Sequence, residues 1–521
     1  MGVERMKTIA IILSAGQGTR LRPLTNDIPK CLLKVCEESI LSREIRALEG
    51  LVDEIYVVVG YKADQIISKF VQRVKFFVNR DYDKTNNSYS LYLALEELKF
   101  NFDRLVLLNG DILFDRSILE DMLRKEENLI AVDTTLYRGE SMKVTLDGNR
   151  INKISKDIKR EDAYGVSIDL YSFSKDVSEK LYNVLKKLDK NVWTEVAIQE
   201  ILSKANVYPF DIGKRFWCEI DTLEDLKEAN RRVLLEEQKR NILSKELFLF
   251  DLDGTLILGK KALPYAKSFI NKLMNDGKKV VILTNNTSKT KKQHLSEIKS
   301  ILGVKKLKKE NIYTATEDTV KWLKDNGINR IFLLSTRAVY KEFSDFGFSI
   351  SGAVPTSVFD GNKLEFSPQA VVVAFDKSLT YKKLSIATSI LRKNKSVKLV
   401  FTNGDLLCPT ESGFIPDTGS IGEFIKVATG RKPDFVGGKP NKSVIEAVCE
   451  RFNVPKESCV LFGDRLYTDY KMGENSGIMT VLVLTGETQM EDLDLDFLRN
   501  NVVLKNFGEL GVEDCPSRSK T

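Results

Sequence analysis

Two aspartates two positions apart, Asp251 and Asp253, follow the apolar run LFLF and lead into Gly254-Thr255. After a buried strand that spacing turns both carboxylates toward one pocket, and glycine permits the tight turn that comes next. One carboxylate can attack phosphorus while the other protonates the leaving oxygen. Supporting groups stand at the ends of other apolar runs. VVILT ends in Thr284-Asn285-Asn286, a hydroxyl and amides able to hold phosphoryl oxygens. Gly437-Gly438-Lys439-Pro440 supplies a cation that can neutralise nucleophile and phosphate together. CVLF runs into Gly463-Asp464, with Asp469 shortly after, an acid pair suited to Mg2+.

A second constellation lies upstream. IAIIL is followed by Ser14-Ala15-Gly16-Gln17-Gly18-Thr19-Arg20, with Pro29-Lys30 beyond. Small residues after a buried strand let backbone N–H groups approach a polyphosphate, so Ala15, Gly16 and Gly18 are nucleotide-loop candidates. Arg20 and Lys30 add full positive charges. The string fits neither the dinucleotide fingerprint, since Leu21 holds the third glycine's place, nor the GxxxxGK[ST] loop. RLVLL ends at Asn109-Gly110-Asp111, a carboxylate where open α/β sheets bind ligands. Glu219 and Asp221 alternate and share a face if extended. Asp111 with Asp221 could hold Mg2+ between two phosphate groups. Taken singly, the loop is a strand–helix turn and each acid a cap or surface charge; together they argue for a site.

The elements that must position these groups are short apolar runs separated by helix-length segments. They comprise residues 9–13, 55–59, 104–108, 247–251, 280–284, 330–335, 370–375, 398–402, 459–463 and 480–484. Fully apolar strands in that arrangement predict parallel α/β sheets covered on both faces. The series breaks at Thr222–Lys245, which lacks Pro and Gly and predicts a helix linking two halves at a preferred distance. The expected division is a first domain over 1–235 and a second over 236–289 and 433–521, interrupted by an α/β insert over 290–432; the resemblances given below imply a nucleotidyltransferase domain, a phosphatase core and its cap for these three.

Composition narrows the function classes. The chain has 521 residues and a net charge of +7, enough for several domains but too weakly basic to indicate nucleic acid. No apolar run approaches a membrane span, and the N-terminal run is too short for a signal peptide. The basic KKLKK (305–309) reads as a solvated face. Seven scattered cysteines, Cys515 among them, without a CxxC pair read as reduced, mostly buried thiols in a cytoplasm. The only histidine, His294, sits in a helix-like, lysine-rich stretch and is expected at the surface. With its one histidine expected at the surface, the chain is expected to use neither Ser-His-Asp hydrolysis nor a His-rich metal site.

On AGQGTRLRPLTNDIPKCLLKV (15–35), Asn109-Gly110-Asp111 and Glu219-Ile220-Asp221, residues 6–232 resemble the nucleotidyltransferases that make nucleoside-diphosphate sugars and alcohols. The segment Asn86-Asn87-Ser88-Tyr89-Ser90-Leu91-Tyr92-Leu93-Ala94 is similar to the NNxxSLxxA of phosphocholine and inositol-phosphate cytidylyltransferases. The resemblance implies attack of an acceptor phosphate on the nucleotide's α-phosphorus with loss of pyrophosphate. Arg20 would hold the leaving phosphates, Lys30 the α-phosphate, Asp111 and Asp221 the Mg2+, and Asn87 and Ser90 the nucleotide or acceptor. A quaternary ammonium would need an aromatic or acidic cage, for which Tyr89, Tyr92, Tyr164, Trp193 and Trp217 are candidates. A polyol or sugar would need hydrogen bonds, for which Glu195, Asn191 and Asp169 are candidates. The choice between these acceptors stays open.

Residues 245–500 resemble, motif for motif, the haloacid dehalogenase superfamily, with an insert like the cap of subclass IIA. Thr402-Asn403-Gly404-Asp405 and Gly463-Asp464-Arg465-Leu466 are similar to strings of its p-nitrophenylphosphatase and phosphoglycolate phosphatase branch. That resemblance implies Asp251 as nucleophile, Asp253 as general acid then base, and Thr284 and Lys439 as phosphoryl stabilisers. Asp251, the Asp253 carbonyl and Asp464 would bind Mg2+ with Asp469 supporting, while Asn285, Asn403 and Asp405 would read the substrate. The expectation is a bifunctional Mg2+-dependent enzyme acting on CTP, a phosphorylated alcohol, polyol or sugar, and a small phosphomonoester. The alternatives are UTP, dTTP or GTP with a hexose-1-phosphate, or one half kept only as a binding or regulatory module.

Overall fold

The computed structural model describes residues 6–137, 139–351, 367–410 and 413–512; Cys515 lies outside them. By its internal contacts the chain divides into two compact units, Met1–Val233 and Leu234–Thr521. The Pro- and Gly-free segment forms the helix Leu223–Ser244, in which the first unit ends and the second begins.

In the first unit, Thr8–Ser14 pairs in parallel with Glu54–Val59 on one side and Arg104–Asn109 on the other. Successive side chains of a strand point to opposite faces, so this central strand serves two cores. Ile9, Ile11 and Leu13 join the one that includes Leu91 and Leu95; Ala10 and Ile12 join the one that includes Leu41 and Ile45. Past Arg104–Asn109 the sheet turns antiparallel with Gly165–Ser174, which pairs with Leu129–Asp133 and Lys143–Asp147. The neighbours of Thr8–Ser14 come from different parts of the chain, so the loops after its C-terminal end diverge and leave a crevice there.

The second unit is built on two larger sheets, of six and five strands. The first has the order Ile312–Thr314, Lys279–Thr284, Leu247–Asp251, Cys459–Gly463, Met479–Val483, Val502–Leu504, with every pair parallel. Phe248 and Phe250 face one side, where Phe250 stacks on Phe462 at 4.9 Å between ring centroids. Leu247 and Leu249 face the other. The second sheet is Ser349–Ser351, Arg330–Leu334, Ala370–Val373, Lys398–Phe401 and Phe435–Val436, again parallel throughout.

The insert begins later than residue 290. The helix Lys291–Leu302 puts Ile298 and Leu302 into the same core as Phe248, and Ile312–Thr314 is the edge strand of the first sheet. The apolar residues here are sparse among lysines, and the strands they pack on lie elsewhere in the chain. Within KKLKK the four lysines are exposed while Leu307 is buried. Among the described residues no helix is long and apolar enough to cross a membrane.

Candidate active sites

In the first unit a two-stranded ribbon does what spacing alone could not show. Trp217–Glu219 runs antiparallel to Ile112–Phe114, with Glu219 opposite Ile112, and the Ile220 N–H donates to the Asp111 carbonyl at 2.9 Å. Asp111, Glu219 and Asp221 thereby converge, each offering a carboxylate oxygen within 4.8 Å of the others. Lys30 donates to Asp111 Oδ2 and to Asp221 Oδ1, both at 2.7 Å, and the Arg20 Nη2 lies 2.8 Å from the same Asp221 oxygen. Burial alone would lower the Lys30 pKa, but the two carboxylates outweigh it and hold the ammonium above its usual range. Burial would raise Asp221, yet Lys30 keeps it below the ordinary carboxylate value. Glu219 is pushed up to about 9 by burial and by the negative field of Asp169, Asp111 and Asp221.

The loop is built for close approach. Gly18 has φ 64°, and a Cβ there would stand 2.8 Å from Lys30 Cβ; Gly16 has open space where its Cβ would be. Thr25 pins the loop through its hydroxyl, which donates to the Gly18 carbonyl at 2.8 Å. Loop and acids line a cavity of about 740 Å³. Asn87 and Ser90 also border it, but both are engaged. The Asn87 side chain accepts from the Thr194 N–H at 2.9 Å, and the Ser90 hydroxyl accepts from Asn79 at 3.0 Å.

The acceptor candidates separate clearly. Asp169, Glu195 and Trp193 line the cavity; Tyr89, Tyr92, Tyr164, Trp217 and Asn191 do not. Tyr92 stacks between Tyr89 and Tyr182, and Trp217 is buried with its Nε1–H bonded to Asp133 at 2.6 Å. Tyr171 was not anticipated. Its hydroxyl lies 3.1 Å from Asp169 and 3.0 Å from the buried Glu195. It reads as a core residue of a buried strand, so only the three-dimensional contact identifies it.

In the second unit, Asp251, Thr284 and Asp464 stand at the C-terminal ends of three adjacent strands. Asp251, Asp464 and Asp469 converge within 4.8 Å. Lys439 contacts Asp251 Oδ1 directly and donates to Asp469 Oδ1 at 2.7 Å. Burial pushes Asp251 up to about 7, with Lys439 opposing and Asp464 adding to the rise. Asp469 is likewise raised, to about 6, mainly by burial. Two glycines cradle Asp464: a Cβ at Gly254 or Gly486 would come within 2.4 or 2.0 Å of its Oδ2. Asp253 reaches solvent at the pocket, and the protein walls around it still raise its pKa. It stands apart from the three-carboxylate cluster.

Asn285 clamps Lys439 rather than standing free. Its Oδ1 accepts from the Lys439 N–H at 2.9 Å, and its Nδ2 donates to the Lys439 carbonyl at 3.1 Å and to Asp405 at 3.2 Å. Asn403, expected to read substrate, is fully buried and does not line the pocket. Its amide donates to the Asn285 carbonyl at 2.8 Å and to Thr418 at 3.1 Å, so it fixes the clamp from behind. Asp405 does line the pocket, a narrow cavity of about 40 Å³, together with Asp417, Cys408 and Arg465, which the motif reading had not placed there. His294 is not at the surface: it is 2% exposed, with Nε2 2.9 Å from the Asn286 carbonyl, and burial lowers its pKa to about 4. It braces the loop after Thr284.

Both acid clusters suit a divalent cation. Hard oxygen donors are what Mg2+ or a similar ion takes. In the first unit Asp111 Oδ1 is buried without a hydrogen-bond partner; in the second Asp464 is held in place by the Glu487 N–H at 2.7 Å and the Thr255 hydroxyl at 3.3 Å, with Asp251 and Asp469 converging on it.

Family profiles match parts of both units. The family profile for a MobA-like NTP transferase domain matches residues 10–238. That for a haloacid dehalogenase-like hydrolase matches 248–349, and a related HAD-hydrolase-like profile matches 436–510. The chain is similar to an acid sugar phosphatase of Staphylococcus haemolyticus, 28% identical over 247 residues, covering 47% of this chain and 88% of the relative. It is also similar to the 5'-nucleotidase YutF of Bacillus subtilis, 28% identical over 250 residues, covering 48% and 91%. A solved 4-nitrophenylphosphatase of Thermotoga maritima is 39% identical over 52% of this chain and 97% of that one, with a TM-score of 0.45. The chain is an enzyme that joins a MobA-like NTP transferase domain to a haloacid dehalogenase-like phosphatase domain.

Proposed function

We propose that the first unit transfers a cytidylyl group from CTP to a phosphorylated alcohol, polyol or sugar, and that the second hydrolyses a small phosphomonoester through an aspartyl-phosphate. The observation that carries this reading is the same in both units: a lysine bridging two aspartates beside a cavity at strand ends, Lys30 with Asp111 and Asp221, Lys439 with Asp251 and Asp469. Such a pair of sites is suited to phosphorus chemistry, which needs mainly positioning and charge neutralisation.

In the first unit the glycine loop binds the triphosphate through backbone N–H groups, Arg20 holds the departing pyrophosphate and Lys30 the α-phosphate. Asp169 and Glu195 accept hydrogen bonds from the acceptor. In the second, an Asp251 oxygen attacks phosphorus and the alcohol leaves with the proton of Asp253. Asp253 then takes a proton from the water that attacks the same phosphorus, releasing phosphate and freeing Asp251. Thr284 and Lys439 hold the phosphoryl oxygens throughout, while Asp405 faces the leaving group. Asp111, Glu219 and Asp221 would hold one Mg2+, and Asp251, Asp464 and Asp469 another; the ions would supply charge neutralisation at the phosphate oxygens.

A phosphatase that destroyed the transferase's own acceptor would be self-defeating, so its substrate is a neighbouring metabolite. A phosphatase panel in which that acceptor is the best substrate would overturn this. The transferase reading is tested by pyrophosphate release from the Asp251→Asn variant, which spares acceptors from hydrolysis. CTP, ATP, GTP, UTP and dTTP are crossed with choline, ethanolamine, inositol, glycerol, pentitol and hexose-1-phosphates. Release with CTP and one alcohol or polyol phosphate is expected; release only with UTP, dTTP or GTP and a hexose-1-phosphate would refute the cytidylyl assignment.

A further inference from the structure

Cys449 and Cys459 are ten positions apart in sequence, yet their sulfurs lie 3.5 Å from each other. Cys449 is on the helix Lys442–Phe452 and Cys459 opens the strand Cys459–Gly463. The two are unequal in access. Cys449 is 9% exposed and borders a surface depression of about 430 Å³ with Asn453, Pro455 and Lys456. Cys459 is fully buried, its Sγ 3.4 Å from the Pro455 carbonyl. They are unequal in acidity as well. The contact between the two sulfurs, in which either can donate, lowers the Cys449 pKa against burial and with help from Lys456, while the same contact and burial raise that of Cys459. A thiol at the rim of a surface depression, in contact with a fully buried partner thiol, is the arrangement of an attacking and a resolving cysteine.

We propose that Cys449 and Cys459 form a thiol–disulfide exchange site for small disulfides of the glutathione type, which closes into a Cys449–Cys459 bond. The Cys449 thiolate attacks one sulfur of the small disulfide; a protein–ligand disulfide forms, the ligand's own S–S bond breaks, and one small thiolate leaves. Cys459, giving its proton to that thiolate, attacks Cys449 Sγ and expels the second small thiol. The protein dithiol loses two electrons and two protons, and one small disulfide becomes two thiols. Reaching a bond of about 2.05 Å asks about 1.5 Å of side-chain movement. The resulting staple ties the helix that follows Lys439 to the strand that runs into Asp464, so it braces the phosphatase site from beneath.

The test is exposure of the folded full-length chain to oxidised glutathione, followed by peptide mapping without reductant. The wild type should lose two hydrogens in mass, yield a Cys449–Cys459 cross-linked peptide, melt higher than the reduced protein, and revert with dithiothreitol. Cys459→Ser should accumulate a glutathione adduct on Cys449, whereas Cys449→Ser should leave Cys459 unmodified. The proposal is overturned if wild-type Cys449 and Cys459 both stay alkylatable while the half-exposed Cys408 reacts, or if the adduct on wild-type Cys449 persists unresolved. The wild-type map decides even where a serine variant folds poorly.

Discussion

Replacing Asp251 with Asn should abolish phosphatase activity and at the same time stabilise the second unit at alkaline pH in a chelator. The Asp251 carboxyl is 7% exposed and its pKa is lifted from 3.8 to about 7, by burial first and by Asp464, despite Lys439. Between those values the folded state keeps a proton that the unfolded state has released, so stability falls as pH rises through the window. Each tenfold in proton affinity is worth about 1.4 kcal/mol, so an ionised Asp251 costs the folded state about 4 kcal/mol at pH 8. Asparagine keeps the shape without the charge. The variant should therefore melt with the wild type near pH 4 and gain about 2–4 kcal/mol, or ~5–10 °C, at pH 8. Saturating Mg2+ should narrow the gap, because the wild type offers three carboxylates and the variant two. Thermal unfolding at the two pH values, with chelator and with Mg2+, reads all of this. A variant that melts lower than wild type at pH 8 in chelator, or by the same margin at both pH values, would refute the electrostatic account.

Four further outcomes follow from particular contacts. Lys30→Met leaves Asp111 and Asp221 without their shared cation and should cut pyrophosphate release by about 10²–10³-fold with phosphatase turnover unchanged; equal loss of both activities would count against the assignment. Gly254→Ala forces a Cβ to within 2.4 Å of Asp464 Oδ2 at a φ of 96°, so it should cost about 1–3 kcal/mol and most phosphatase activity, measured by denaturant unfolding and hydrolysis. Asn403→Ala strips the buried donor from the Asn285 carbonyl and should destabilise by about 1–3 kcal/mol, with kcat falling more than KM rises; a change in KM alone would restore Asn403 to substrate binding. His294 is held neutral down to about pH 4 against 6.5 when unfolded, so its buried ring contributes stability that is lost as pH falls from 6.5 to 4. His294→Gln should flatten that acid limb by about 3 kcal/mol, seen as a smaller shift of the melting midpoint between pH 7 and 4.5.

The parallel strands were legible because strands buried on both faces are apolar without interruption. IAIIL, RLVLL, LFLFD and CVLFG each became a central strand, and polar groups at their ends line the candidate sites. The antiparallel edge was less visible. KVTLD (Lys143–Asp147) alternates apolar with polar residues, as a half-solvated strand does, while RINKIS (Arg150–Ser155) breaks the alternation at Asn152-Lys153, where its register shifts. Motif position told which side chains reach strand ends, but not which are already bonded. Asn403 stands two positions from Asp405 in one motif, yet the first is sealed behind Asn285 while the second faces the cavity. His294 misled because its neighbours in sequence are lysines, whereas its ring turns inward to the Asn286 carbonyl. Tyr171 and Glu195, 24 positions apart, show nothing of their contact until the sheet and the helix Thr194–Ile201 meet.

Two unrelated sheets arrive at one electrostatic solution, and the reason lies in what a phosphate site must survive when empty. Three carboxylates within 4.8 Å repel by roughly 3 kcal/mol per pair at an effective dielectric near 20, a cost no small cluster carries unaided. A lysine bonded to two of them offsets much of that cost, and it has the flexible stem to move when an anion enters. Lys30 reaches Asp111 and Asp221 from a 3-10 turn, Lys30–Leu32, and Lys439 reaches Asp251 and Asp469 from a loop clamped by Asn285. Arginine would not substitute: its rigid fork grips a carboxylate bidentately and would resist transfer to a phosphoryl oxygen. In the second cluster one lysine charge faces three acids and a fully ionised cluster keeps a formal charge of −2; in the first, where Arg20 also contacts Asp221, it keeps −1, and both still attract a divalent cation. On the proposed function the lysine is therefore the counter-ion of the empty site and would be the phosphate ligand of the filled one. A Lys→Arg exchange at either position should preserve folding while slowing the chemistry.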